Sequence, residues 1–183
     1  MVFLRRLLTV PVFQIDTNLI NARQKLQEVN QLEKWAKDDV ILINMSSIAH
    51  GEATAGTNLG RVHKANKNIF TVSEPIDPTD PLFLKVQQAL FENIELDQNK
   101  SNDVSIVCEA SKYAAVLVTN DGNSKSQPGG IIGNRHKIKD LVNIMSPEEA
   151  VDFVKMKIKE RDDFNRDVAK NSGKLLPIWT GCD

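Results

Sequence analysis

The chain has 183 residues, enough for one well-buried core and few for two, and no stretch approaches the roughly 20 apolar residues that span a bilayer. Hydrophobic residues make up 41% and charged residues 26%, as in an ordinary soluble globular protein, and the net charge of -1 neither requires nor excludes a nucleic-acid partner. Two distant cysteines exclude a disulfide framework, and two arginines interrupt the apolar N-terminus, so we expect a cytoplasmic, unexported protein.

Short apolar strands alternate with helices from the beginning of the chain. The run at 12–15 predicts a strand that ends at Asp16. Apolar residues spaced three and four apart from 19 to 36 predict a helix that buries one face. The near-continuous apolar run at 39–45 is typical of a strand that is covered on both faces, as in a parallel sheet.

The second helix and a third strand follow. Ser46 or Ser47 can cap a helix from about 48 to 67, with Glu52 in its early turns. Residues 69–72 read as a short strand. The proline-rich segment behind that strand cannot lie inside a helix.

Two more helices and a strand lead to a second strand end with an acid. Residues 82–91 predict a helix, and Asp103 is expected to cap the next one. The buried-type strand at 114–119 ends directly before Asn120-Asp121. Residues 120–130 are expected to form a long loop.

The last strand and a long helix complete the pattern. Residues 142–145 predict the strand, and Ser146 with Glu149 predicts a capping box that opens a helix reaching about residue 170. Its second half, 155–170, is so charged that we expect it to leave the domain body or to meet a partner. Alternating strands and helices predict a doubly wound α/β sandwich with parallel strands.

Acids stand where such a fold would place a site. Asp16 and Asp121 each follow a strand directly, and parallel α/β sheets bind ligands beyond the carboxyl ends of their strands. Glu52 and Asp103 lie near helix N-termini, which face the same edge. Clustered carboxylates repel one another, and Mg²⁺ or Mn²⁺ would neutralise them through oxygen ligands. The alternative is that some of these acids are only caps, as Asp103 could be.

Four segments carry a resemblance to a known family. They are Phe13-Gln14-Ile15-Asp16-Thr17-Asn18-Leu19-Ile20, Ile43-Asn44-Met45-Ser46-Ser47-Ile48-Ala49-His50-Gly51-Glu52, the stretch from Asn102-Asp103 through Thr119-Asn120-Asp121, and Met145-Ser146-Pro147-Glu148-Glu149-Ala150. In this order and spacing, over residues 12–154, they resemble PIN domains, the metal-dependent nuclease fold of many toxin–antitoxin ribonucleases.

The resemblance implies a PIN-like α/β/α sandwich with a central parallel sheet of about five strands, a long C-terminal helix and a tail. Residues 1–154 would form the nuclease domain, and 155–183 a helical extension and tail in the same folding unit or at an interface. The implied activity is a divalent-metal-dependent endoribonuclease, which hydrolyses RNA phosphodiesters with metal-activated water. An antitoxin protein is an implied partner. The residues assigned to catalysis and to one or two Mg²⁺ or Mn²⁺ ions are Asp16, Glu52, Asp103 and Asp121.

Other residues are candidates for supporting roles. Thr119 could orient water at the metal, although β propensity explains it as simply. Asn18 could donate to a phosphate, or it could cap the first helix. A candidate RNA-binding rim consists of Arg61, Lys64, Lys67, Arg135 and Lys137, although solvated helix faces carry the same residue types.

Three other functions are alternatives to the nuclease. A haloacid-dehalogenase-type phosphohydrolase needs a second aspartate where Asn18 stands, and a dinucleotide-binding enzyme needs glycines that Asp16-Thr17-Asn18 does not offer. Both are disfavoured. A non-catalytic PIN-fold module that binds nucleic acid or protein stays open as the alternative.

The end of the chain is apolar again. After a plausible helix stop at Gly173, residues 175–179 form an apolar stretch that includes Trp179. We expect Trp35 in the core and Trp179 to anchor the tail against the body. Because exposed apolar patches usually dock on a protein surface, we predict a homodimer in which the tail and the last helix contribute to the interface.

Overall fold

Four short parallel strands form the central sheet of the computed structural model, which describes residues 3–9, 11–20, 25–68, 71–92, 94–122 and 129–183, without the side chains of 67 and 68. The strands are β1 (Val12–Ile15), β2 (Leu42–Met45), β3 (Val116–Val118) and β4 (Asn143–Met145). Their spatial order is β2-β1-β3-β4. The chain therefore leaves β1 towards β2 and later fills the other side with β3 and β4. The crevice between the ends of β1 and β3 is the switch point at which such sheets bind ligands.

One of the five expected strands is reduced to a bridge. Val72 makes an isolated parallel bridge to Met45, beside the outer edge of β2. Residues 69 and 70 of the predicted strand lie outside the described residues. A longer ladder cannot follow Val72, because Pro75 and Pro78 lack the N–H groups that a strand would donate.

Helices cover both faces of the sheet, so the predicted α/β/α sandwich is confirmed. One core packs Trp35 and Val154 against Phe13 of the sheet, and the other packs Val86 and Val107 against Leu117. Trp35 is 1% exposed, as expected of a core residue. None of the helices in the described ranges is long and apolar enough to cross a membrane. The helices are α1 (Gln27–Lys37), α2 (Ser47–Thr54), α3 (Leu59–Asn68), α4 (Pro81–Phe91), α5 (Gln98–Lys112), α6 (Gly130–Asn134) and α7 (Pro147–Ser172).

The helix predicted over 48–67 is in fact two helices. The break between α2 and α3 contains Gly56, which is a poor helix former. Asn58 then caps α3, since its Oδ1 accepts a hydrogen bond from the backbone N–H of Arg61 at 3.2 Å. The second helix therefore has its own N-terminal cap.

Two other boundaries were predicted wrongly. Asp103 does not cap α5: the cap is Asp97, whose Oδ1 accepts from the backbone N–H of Lys100 at 2.9 Å, and Asp103 lies in the second turn. The polar residues 97–102 look like a loop in the sequence, but they form the cap and the first turns of α5, where 97–99 are exposed and 100–102 are half-buried. The second is α6, which begins at Gly130, inside the predicted loop. Residues 123–128 of that loop lie outside the described residues.

Helix α7 begins and ends as predicted. Ser146 Oγ accepts from the backbone N–H of Glu149, whose carboxylate accepts from the N–H of Ser146 at 2.9 Å, which completes the capping box. Gly173 ends the helix in the left-handed region, with φ of 66°. The helix crosses residues 154 and 155 without a break, and Ile158 belongs to the same core as Val154.

The charge of the second half of α7 predicts that it leaves the domain body or meets a partner. In the structure it packs against the domain body instead. Arg161 is fully buried: its guanidinium donates to Asp162 at 2.6 Å and to the carbonyl of Arg5, and it lies 3.0 Å from the carboxylate of Asp183. It also stacks on Trp179, 4.9 Å from the ring centre, which confirms the expected anchoring of the tail. Polar side chains therefore fill a face that looked too sparse in apolar residues. Leu175 and Ile178, in contrast, are more than 90% exposed.

Candidate functional site

Asp16 lies at the carboxyl ends of the two central strands. Its backbone N–H donates to the carbonyl of Val118, which fixes the end of β1 against the end of β3. One carboxylate oxygen accepts from the Thr17 N–H at 2.6 Å, and the other accepts from Thr119 Oγ at 2.6 Å and from Asn18 Nδ2 at 2.9 Å. Thr119 Oγ in turn accepts from the Asp121 N–H at 2.9 Å. The Asp16 side chain, only 6% exposed as a residue, is thus held by neighbours on both strands.

The other three acids come from three further parts of the chain, and their charges influence one another. Asp121 follows β3, Glu52 comes from α2 and Asp103 comes from α5. Burial raises the pKa of Asp103 to about 7, with repulsion from Asp121, Asp16 and Glu52 as further causes. Burial also raises the pKa of Asp16, against the lowering effect of the Thr119 and Thr17 hydrogen bonds, and repulsion from Asp121 and Glu52 adds to the rise. The negative charges of the acids therefore repel one another, and binding of protons or cations would reduce this repulsion.

The carboxylates repel one another, but they do not form a complete set of metal ligands among the described residues. Among the described residues, no three His, Cys, Asp or Glu side chains lie close enough together to hold an ion. Oxygens of three acids are instead bonded within the protein: Asp16 as above, Asp121 to the Ile131 N–H at 2.9 Å, and Glu52 to Asn102 Nδ2 at 2.7 Å. The chemistry of the donors, carboxylate oxygens in a partly desolvated site, fits Mg²⁺ or Mn²⁺.

Gly130 places α6 directly against Asp121. Its φ is 52°, which favours glycine, and a Cβ atom built on it would collide with the backbone carbonyl of Asp121. That carbonyl also accepts from the Ile132 N–H at 3.0 Å. Asp121 is therefore fixed by α6 through both its carboxylate and its backbone.

We expect Gly130→Ala to destabilise the protein by about 1–3 kcal/mol and to lower Mn²⁺ affinity, because Asp121 must move. Gly133→Ala is the matched control: Gly133 lies in the same helix, and a Cβ atom there meets nothing within 4 Å. Thermal unfolding and calorimetric titration with Mn²⁺ would measure both effects. Equal behaviour of the two variants would show that α6 does not position Asp121.

The residues of the predicted RNA-binding rim lie in different local environments. Arg61 lies at the site, since its guanidinium donates to the carbonyl of Thr17 at 2.8 Å. Lys64 is buried and paired with Glu33 at 2.8 Å, which removes it from an exposed rim. Arg135 is engaged by Glu149 through both of its terminal nitrogens, and Lys137 is exposed on the following turn. The side chain of Lys67 lies outside the described residues.

Several residues that shape the site were not predicted from the sequence. Asn102 donates to Glu52, and Glu109 links α5 to the start of α2. Nothing in the local sequence indicates these contacts, because they depend on how two helices pack. For Gly130 the sequence does give an indication, because Pro128-Gly129-Gly130 is typical of a turn.

Comparison with known proteins identifies the fold. No model of a known protein family and no curated relative matches the sequence. A chain in the 2.2 Å structure of VapBC-1 from nontypeable Haemophilus influenzae is similar over 75% of this chain and 98% of its own, with 17% identity and a TM-score of 0.50. A chain of VapBC2 from Rickettsia felis, in a structure bound to a promoter DNA fragment, is similar over 74% of this chain and 98% of its own, with 19% identity and a TM-score of 0.45. The chain therefore has the fold of a PIN domain.

Proposed function

We propose that this protein is a divalent-metal-dependent endoribonuclease with its active site at Asp16, Glu52, Asp103 and Asp121. The observation that supports this most is the placement of the four acids. Asp16 and Asp121 follow the two central strands, and two helices add Glu52 and Asp103, so that the charges of the other three acids reach Asp103, and those of Asp121 and Glu52 reach Asp16. Burial, with repulsion between the acids as a further cause, raises the pKa of Asp103 and of Asp16, and a bound cation would stabilise their charged forms.

The residues of the chain would then divide the work. Asp16 would bind the metal with an oxygen that is oriented by Thr119 and Asn18, and Asp121 would be held ready by α6. Glu52 and Asp103 would complete the ligand set for one or two Mg²⁺ or Mn²⁺ ions. When bound, such an ion supplies charge stabilisation for a phosphodiester under attack by water. Arg61, whose guanidinium donates to the Thr17 carbonyl, would contact a phosphate near Asp16.

Further parts of the proposal concern partners and assembly. We include RNA as the substrate and an antitoxin protein as a partner, as the PIN resemblance implies. Lys137 is an exposed cation that could contact the RNA backbone, and Arg135 could do so if it leaves Glu149. A homodimer through the exposed apolar tail at Leu175 and Ile178 is also proposed.

Cleavage of RNA by the purified full-length chain tests the proposed activity. We expect cleavage of a total RNA pool with Mg²⁺ or Mn²⁺, its loss in excess EDTA and its return when metal is added back. An Asp16→Asn sample, purified in parallel, controls for contaminating nucleases. Cleavage that persists in EDTA would contradict the mechanism. Metal and RNA binding without cleavage would favour the non-catalytic binding module.

A further inference from the structure

A chain of two side-chain hydrogen bonds leads from the first turns of α5 to Glu52. Gln98 Nε2 donates to Asn102 Oδ1 at 2.9 Å, one helical turn along. With its oxygen towards Gln98, Asn102 directs its amide nitrogen towards α2. Asn102 Nδ2 then donates to Glu52 Oε1 at 2.7 Å, across the gap between α5 and α2. The only acid of the site that α2 contributes is thus held by a neutral residue next to Asp103.

The two helices are also fixed at a buried point on the same face of α5. Glu109, two turns after Asn102, is 0% exposed. Its carboxylate accepts from the Ser47 N–H at 2.8 Å, from Ser47 Oγ at 2.7 Å and from Ser73 Oγ at 2.5 Å. The first residue of α2 is therefore attached to α5, so the packing of these two helices determines the distance from Asn102 to Glu52.

We propose that Asn102 is a positioning residue, which orients Glu52 for metal binding by holding one of its two carboxylate oxygens. The inference rests on the proposed function, because it assigns Glu52 to the metal. Asn102 itself does not need to touch metal or RNA. Its amide uses Oε1 and leaves Oε2 available to an ion.

Glu52 needs such a partner more than the other acids do. It is exposed, whereas Asp16 is buried and Asp121 is fixed by α6. A long, exposed carboxylate samples many rotamers, and ordering it on an ion costs conformational entropy. A donor that already restricts the side chain lowers this cost. A neutral amide restricts the side chain without adding a positive charge. A lysine in its place would compete with the ion for the carboxylate. Residues that orient metal ligands in this way typically change metal affinity by about 10–100-fold.

Asn102→Ala removes the donor and leaves a residue that favours helix, so α5 is not at risk. We expect its Mn²⁺ dissociation constant, measured by calorimetry, to rise by about tenfold at unchanged thermal stability of the metal-free protein. The matched control is Asn99→Ala, the same change on an exposed position of α5, where we expect less than a twofold effect. Equal Mn²⁺ affinity of the wild type and Asn102→Ala would overturn the proposal.

A second background shows whether Asn102 acts through Glu52. In Glu52→Gln, the metal-binding charge is absent, so adding Asn102→Ala should change Mn²⁺ affinity by less than about twofold. A further tenfold loss in that background would mean that Asn102 acts by another route, and the proposal would be wrong. These outcomes are distinct from a failure of the proposed function, in which the wild-type protein itself binds no Mn²⁺ and cleaves no RNA.

Discussion

Asp16→Asn is expected to lower RNA cleavage and Mn²⁺ affinity together by at least about 100-fold while the protein stays folded. The amide can keep its oxygen for Thr119 and Asn18. Its NH2 group then faces the Thr17 N–H and that hydrogen bond is lost, but the substitution also removes a charge that is unfavourable in a buried position. Loss of the fold is therefore not the expected cause. Cleavage assays and calorimetric titration of the same samples would measure the two losses, with circular dichroism to check the fold.

Asp140→Asn is the control for this substitution, since Asp140 is exposed and lies after the turn that follows α6. It should behave as the wild type in all three measurements. A folded Asp16→Asn protein with unchanged Mn²⁺ affinity would exclude Asp16 from the site. That result would also remove the main support for a metal-dependent mechanism.

Asp103→Asn should have two opposite effects: it should weaken Mn²⁺ binding by about 100-fold and stabilise the metal-free protein above neutral pH. Because the pKa of Asp103 is raised to about 7 in the fold, the folded state keeps its proton between about pH 4 and 7 while the unfolded state releases it. Rising pH therefore costs the wild type stability over this range. The variant lacks this loss, and since solvent screens part of the repulsion, we expect a gain of about 1–2 kcal/mol at pH 8.

Thermal unfolding of both proteins at pH 4 and pH 8, without metal, would measure this difference. The two melting temperatures should be similar at pH 4 and differ by roughly 2–8 °C at pH 8, with the variant higher. Adding Mn²⁺ should stabilise the wild type more at pH 8 than at pH 5, because the ion binds deprotonated carboxylates. A variant less stable than the wild type at pH 8 would show that burial and the neighbouring charges do not raise the pKa of Asp103.

The sequence was a good guide wherever a short segment determines its own structure. The capping box at Ser146 and the stop at Gly173 depend on residues within one turn, and both were predicted correctly. Asp16 could be placed at a strand end because a short apolar run precedes it directly. These signals are local, and later packing does not change them.

The remaining features depend on residues that are distant in the sequence. Arg161 reads as a surface charge, yet it is buried because Asp162, Asp183 and the carbonyl of Arg5 surround it. The start of α5 was misplaced because Asp97 and Asp103 are equally good caps by type, and only the structure selects one. The contact of Asn102 with Glu52 likewise exists only after α2 and α5 have packed together.

Anomalous diffraction from crystals soaked in Mn²⁺ tests the central claim most directly, since it locates the ion without relying on activity. The account predicts one or two peaks at the carboxyl ends of β1 and β3, with oxygens of Asp16 and at least two of the other three acids at about 2.0–2.6 Å. Glu52 should reach the ion with one oxygen while Asn102 still holds the other. A soaked crystal with no peak at these carboxylates, or with its only peak elsewhere on the surface, would contradict the account.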